Sequence, residues 1–189
     1  MLFRSIKNWQ EVYHLVLIAN YTEGLDILEP TFDGLLESNY PNDKLIVVLA
    51  GEGRQRAEFE KRRQIIEKKY GDKFDVLLFY VHDFKEGEVL GKGSNIYSAA
   101  HKMMKFLNSE RKDILPENIL VTTLDADHIV HKEYFARLTY KYIIDPSRKY
   151  KTYQPVPLLF NNIWDAPAPN RVMAMSNSFF QIIEAVRPF

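Results

Sequence analysis

The sequence predicts an α/β domain with a mainly parallel sheet flanked by helices, and three observations carry that prediction. Short apolar runs alternate with longer stretches of helical spacing. The runs are continuous in apolarity rather than alternating, as in strands covered on both faces. Polar or glycine-containing breaks follow three of the runs, at residues 20–24, 50–54 and 125–128. In open α/β sheets ligands bind at such places, beyond the carboxyl ends of the strands.

The elements follow in order. Leu15, Val16, Leu17, Ile18 and Ala19 form a first strand. Leu25, Leu28, Phe32, Leu35 and Leu36 recur at helical spacing and end near Asn39, Tyr40 and Pro41. A second strand over 45–49 stops at Gly51 and Gly53, and a charged helix over 54–70 closes at Gly71. A third strand over 76–81 precedes a polar loop containing Gly87, Gly91 and Gly93. The next helix, over 95–108, turns Ile96, Ala99, Ala100, Met103 and Leu107 inward. Pro116 and Asn118 lead into a fourth strand over 119–124 that ends on Asp125, and a helix over 132–144 is stopped by Asp145 and Pro146. Residues 153–160 read as a further extended segment and 179–186 as an apolar helix. The connections are long enough for right-handed crossovers between parallel strands.

A chain of 189 residues, 46% of them hydrophobic, has the material for one core, and we expect a single domain over 1–189. The 25 basic and 25 acidic side chains cancel, which argues against a dedicated nucleic-acid binder. Arg54, Arg56, Lys61, Arg62 and Arg63 cluster, but they alternate with Glu58, Glu60 and Glu67 as on a solvated helix face. The absence of cysteine removes disulfide scaffolds, thiolate metal sites and cysteine nucleophiles. The first residues lack the apolar core of a signal peptide. No apolar run approaches the roughly 20 residues of a membrane helix. A soluble, cytoplasmic domain is the expectation.

Asp125 and Asp127 lie two residues apart at the end of a strand. If the strand persists, both side chains point to one side, about 6.5 Å apart at Cα. Carboxylates so placed repel unless a cation joins them. Mg²⁺ or Mn²⁺ suits them, preferring oxygen ligands and completing its shell with phosphate and water. The competing reading has one aspartate capping the following helix and the other solvated. His128 is close enough in sequence to be a third ligand or a hydrogen-bond partner. Gly91, Lys92, Gly93, Ser94 and Asn95 precede a helix, an arrangement that suits either an anion site or a capped helix start. The spacing is not that of a Walker A loop. Asn161, Asn162 and Trp164 stand in a proline-rich stretch with Pro155, Pro157, Pro167 and Pro169. An indole beside amides can hold a sugar, or the residues can simply pack the loop. The five histidines lack the paired spacing of a zinc hydrolase.

In order, these motifs resemble those of the family 2 glycosyltransferases, which have the Rossmann-like GT-A fold. Residues 16–23 resemble that family's opening strand and its Pro-x-Tyr-Asn-Glu, with Tyr21 and Glu23 at matching positions. Tyr40-Pro41 before the strand at 45–48, Gly91-Lys92-Gly93, and Thr123-Leu124-Asp125-Ala126-Asp127 are similar to its Tyr-Pro, its glycine-lysine step and its metal-binding Asp-x-Asp. The likeness covers roughly residues 13–180. It implies an inverting glycosyltransferase that moves a sugar from a nucleoside diphosphate sugar to a hydroxyl of a glycan or lipid-linked acceptor. Tyr21, Glu23, Glu52, Lys92, Asp125 and Asp127 would then bind the donor, Asp125 and Asp127 the metal, and Asn162 and Trp164 the acceptor.

Three departures bear on it. Ala19 replaces the usual proline, with Thr22 where asparagine is usual, and Leu49-Ala50-Gly51-Glu52 replaces Asp-Asp-Gly-Ser, so that Glu52 stands nearest the base-reading aspartate. The downstream Glu-Asp that serves the family as catalytic base, and the Gln-x-x-Arg-Trp of its processive members, have no counterpart before Phe189. The expectation is therefore a domain incomplete at its C-terminus, touching a membrane only through a missing remainder. A nucleotide-sugar-binding module without turnover, or a sugar-phosphate nucleotidyltransferase, are the alternatives.

Overall fold

The computed structural model describes residues 8–84, 87–89, 91–158 and 163–186. The chain divides into two compact units, Met1–Lys149 and Tyr150–Phe189. The first unit contains β1 (Tyr13–Ala19), α1 (Leu25–Leu36), β2 (Leu45–Glu52), α2 (Arg56–Tyr70), β3 (Val76–His82), α3 (Lys92–Glu110), β4 (Ile119–Asp125) and α4 (Tyr134–Ile144). The second contains, among its described residues, a 3-10 turn, Ile163–Asp165, and α5 (Ala168–Val186). Among the described residues no helix is long and apolar enough to cross a membrane.

The sheet has the order β3-β2-β1-β4, and every pairing in it is parallel. The α/β class and parallel sheet expected from the sequence are therefore present. β1 and β2 are central and buried on both faces, which accounts for their unbroken apolarity. Val16, Ile18, Val47 and Leu49 face a core with Leu28 and Phe32 of α1, Phe59 and Tyr70 of α2, and Phe135 of α4. Leu15, Leu17, Ile46 and Val48 face Ala99, Met103 and Leu107 of α3 on the other side. β4 instead alternates, with Leu120 and Leu124 buried while Val121 and Thr123 are exposed.

This arrangement places the site. From β1 through β2 to β3 the chain advances in one direction, with α1 and α2 on the first face. The connection from β3 to β4 runs back past β1, so its helix α3 must lie on the opposite face to keep the same crossover hand. The reversal opens a crevice between the carboxyl ends of β1 and β4, where Ala19 and Asp125 are register partners. α2 fits closely on β2 because residue 51 is glycine: a Cβ there would lie 2.3 Å from the Phe59 ring.

Three elements differ from expectation. α3 begins at Lys92, not Asn95, so Lys92, Gly93 and Ser94 form its first turn. Asn95 makes the first helical bond, to the Gly91 carbonyl at 3.3 Å, so Gly93 sits in the first turn rather than in the helix interior. Residues 151–158 join no strand, since Pro155 and Pro157 cannot donate to a ladder; Leu159 and Phe160 lie outside the described residues. α5 starts at Ala168, well before residue 179, because Pro169 falls in its first turn where a missing N–H costs nothing.

Candidate functional site

Asp125 closes β4, and the chain then turns back on itself. The Asp125 carbonyl accepts the His128 amide at 3.1 Å, while the Asp125 amide donates to His128 Nδ1 at 3.2 Å. This turn brings one ligand atom each of Asp125, Asp127 and His128 within 4.8 Å of one another. The convergence comes from the turn rather than from a strand continuing through Asp127. His128 Nε2 lies 3.4 Å from Asp125 Oδ2, and Lys92 Nζ, from the first turn of α3, donates to Asp125 Oδ1.

The turn is held from below by a residue that the sequence did not single out. Thr31 on α1 is fully buried, and its hydroxyl donates to the Ala126 carbonyl at 2.6 Å. Ala126, between the two aspartates, is itself buried. Replacing Thr31 by valine keeps the shape and leaves that carbonyl without its donor. We expect a loss of about 1–3 kcal/mol in urea unfolding, with Thr31→Ser retaining most of the stability.

A second cluster lies at the ends of β1 and β2. Glu23 does not project outward: its carboxylate accepts the Tyr21 amide at 2.7 Å and Asn20 Nδ2 at 3.0 Å, and its carbonyl accepts the same Nδ2 at 3.0 Å. Glu23 thus shapes the loop after β1. Glu52 is buried and holds Arg54 through Nε at 3.2 Å and through Nη2. The Arg54 guanidinium lies over the Tyr21 ring at 4.7 Å and near the Phe84 ring at 5.7 Å. Arg54 therefore leaves the solvated run in which its position had placed it.

The Ala50 carbonyl ties β1, β2 and α3 together by accepting the Asn20 amide and Asn95 Nδ2, both at 2.8 Å. Asn20 and Asn95 are buried, and their Oδ1 atoms have no hydrogen-bond partner among the described residues. The structure thus gathers Lys92, Asp125, Asp127 and His128 in one group and Tyr21, Glu23, Glu52 and Arg54 in another. Of the expected acceptor residues, Asn162 lies outside the described residues. Trp164, in the second unit, is 81% exposed with Arg171 over its ring at 5.5 Å.

No family model matches the sequence, and no curated protein matches it. Among solved structures, the chain is similar to a mannosyltransferase, PcManGT from Pyrobaculum calidifontis, in complex with GDP-Man and Mn²⁺. The TM-score is 0.48 at 19% identity, over 77% of this chain and 40% of that one. The match thus spans about two fifths of the length of that structure's chain, 40%.

Proposed function

We propose that this chain is the donor-binding part of an inverting glycosyltransferase that takes its sugar from a nucleoside diphosphate sugar and passes it to a hydroxyl of a glycan or lipid-linked acceptor. The supporting observation is the convergence of Asp125, Asp127 and His128 at the carboxyl end of β4, with Lys92 on Asp125 at the start of α3. The two carboxylates are donors that fit Mg²⁺ or Mn²⁺, and the imidazole favours Mn²⁺ of the two, leaving the other coordination positions to phosphate oxygens and water. Bound there, the ion would offset charge developing on a departing diphosphate.

The chain's own groups supply the remainder. Lys92 adds a positive charge, and the first amides of α3 favour an anion at the same edge. Tyr21 offers a ring face, and the Glu52 carboxylate is an acceptor suited to a ring N–H such as uracil N3–H or guanine N1–H. Asn20 and Glu23 hold the Tyr21 loop in place.

Calorimetric titration of Mn²⁺ with UDP or GDP, on the wild type and Asp127→Ala, tests the site. Removing this ligand is expected to weaken Mn²⁺ by about 100-fold, the upper end of what loss of even a ligand's supporting partner costs. Equal binding by the two proteins would remove the metal site and the reading with it.

A further inference from the structure

We propose that Lys92 is an exchangeable counter-cation: its ammonium and a divalent ion compete for Asp125, and a diphosphate group resolves the competition by drawing Lys92 to itself. This rests on the metal site proposed above. Both oxygens of the Asp125 carboxylate are engaged by side chains, Oδ1 by Lys92 and Oδ2 by His128 at 3.4 Å. A divalent ion at Asp125 would share that carboxylate with the Lys92 ammonium, close enough for the two positive charges to repel. Both contacts are about half exposed, but His128 is fixed in the turn through its own amide and Nδ1 and is itself a candidate ligand, so the Lys92 contact is the one to exchange. Ion pairs in that setting are weak, amounting to no more than about fivefold in a binding constant.

Lys92 is also placed to move. It opens α3 just after Gly91, whose backbone has φ 145° and around which a Cβ would meet nothing within 4 Å. Its four-carbon stem carries a point charge that redirects without moving the helix. The first turn of α3 is where an anion gains from the free amides, so a diphosphate there offers Lys92 a second partner.

Charge sets the coupling. Lys92, Asp125 and Asp127 sum to −1; a divalent ion alone brings the group to +1 and faces repulsion from the ammonium. A diphosphate removes that excess. Ion and diphosphate therefore strengthen each other's binding through one side chain, and the coupling is reciprocal.

The test measures Mn²⁺ binding alone, from the electron paramagnetic resonance signal of free Mn²⁺. It also measures inorganic pyrophosphate binding in saturating Mn²⁺ by calorimetry. Lys92→Met and Lys92→Gln are expected to bind Mn²⁺ alone about two- to fivefold more tightly than the wild type. The same variants should bind pyrophosphate about tenfold more weakly, the cost of a charge-assisted contact. Lys92→Arg should keep the wild-type order of both. Unchanged or weaker Mn²⁺ affinity in both neutral variants, with Asp127→Ala still impaired, overturns the exchange and leaves the metal site standing. Mn²⁺ binding indifferent to Asp127→Ala overturns both.

Discussion

Phe32→Ala is expected to lower the unfolding free energy by about 3–5 kcal/mol, a large part of the roughly 5–15 kcal/mol of an ordinary domain. Phe32 has no exposed surface. It stacks on Tyr70 with ring centroids 5.0 Å apart at 27°, and lies 6.2 Å from Phe74 at 56°. Its removal deletes the ring contact of α1 with Tyr70 of α2 and leaves a cavity in the core under both helices. Part of the loss is specific to the stacked pair. A double-mutant cycle of Phe32→Leu with Tyr70→Leu should give a coupling of about 0.5–1.5 kcal/mol. The site is coupled to this packing because Thr31, the neighbour of Phe32, donates to the Ala126 carbonyl. Urea midpoints check the stability. A folded Phe32→Leu should also bind Mn²⁺ more weakly, and unchanged midpoints would contradict the packing argument.

How far the sequence revealed this molecule depends on the range of the interactions involved. β1 and β2 were legible because a strand covered on both faces must be apolar throughout, and nothing else in so short a run requires that. The solvated face of α2 was legible too, since Lys61 with Glu58 and Arg63 with Glu60 are three-residue neighbours on one helix. Arg54 belongs to the same charge run by position, yet it leaves the ladder for buried Glu52 and the Tyr21 ring. That partner is set by the end of β2, not by helical spacing. Asp125 and Asp127 could be singled out by type and position, but the turn that brings them to His128 was not predictable from a strand rule. Thr31 gave no signal at all. Its partner is 95 residues away and is a backbone carbonyl, which any residue type would present. The early starts of α3 and α5 were missed for a common reason. Glycine and proline ordinarily mark breaks, but both are tolerated in a first helical turn.

Stability should fall steeply as pH drops below about 6.5, and His14 is the cause. This histidine is wholly buried on β1, with Nε2 2.8 Å from Thr139 Oγ1 and its ring against Tyr40 and Phe135 at 4.7 and 4.8 Å. Burial lowers its pKa from 6.5 to about 3. The sign follows from which state takes the proton. Below pH 6.5 the unfolded chain protonates His14, while the folded chain keeps it neutral until about pH 3. The unfolded state therefore binds more protons throughout that window and gains on acidification. The contribution is fully present above 6.5 and is lost as pH falls toward 3, reaching about 2 kcal/mol at pH 5. His14→Gln retains a polar partner for Thr139 and removes the titration. The difference in urea stability between wild type and variant should then change by about 2 kcal/mol between pH 7.5 and pH 5. A difference that stays constant across that range would mean that His14 is charged inside the folded protein, against the apolar ring cage that surrounds it. Tyr40 and Phe135 offer no counter-charge, so protonation there must open the packing between β1 and α4. Acid loosening is accordingly expected to begin at that seam, at the end of β1 away from the Asp125 turn.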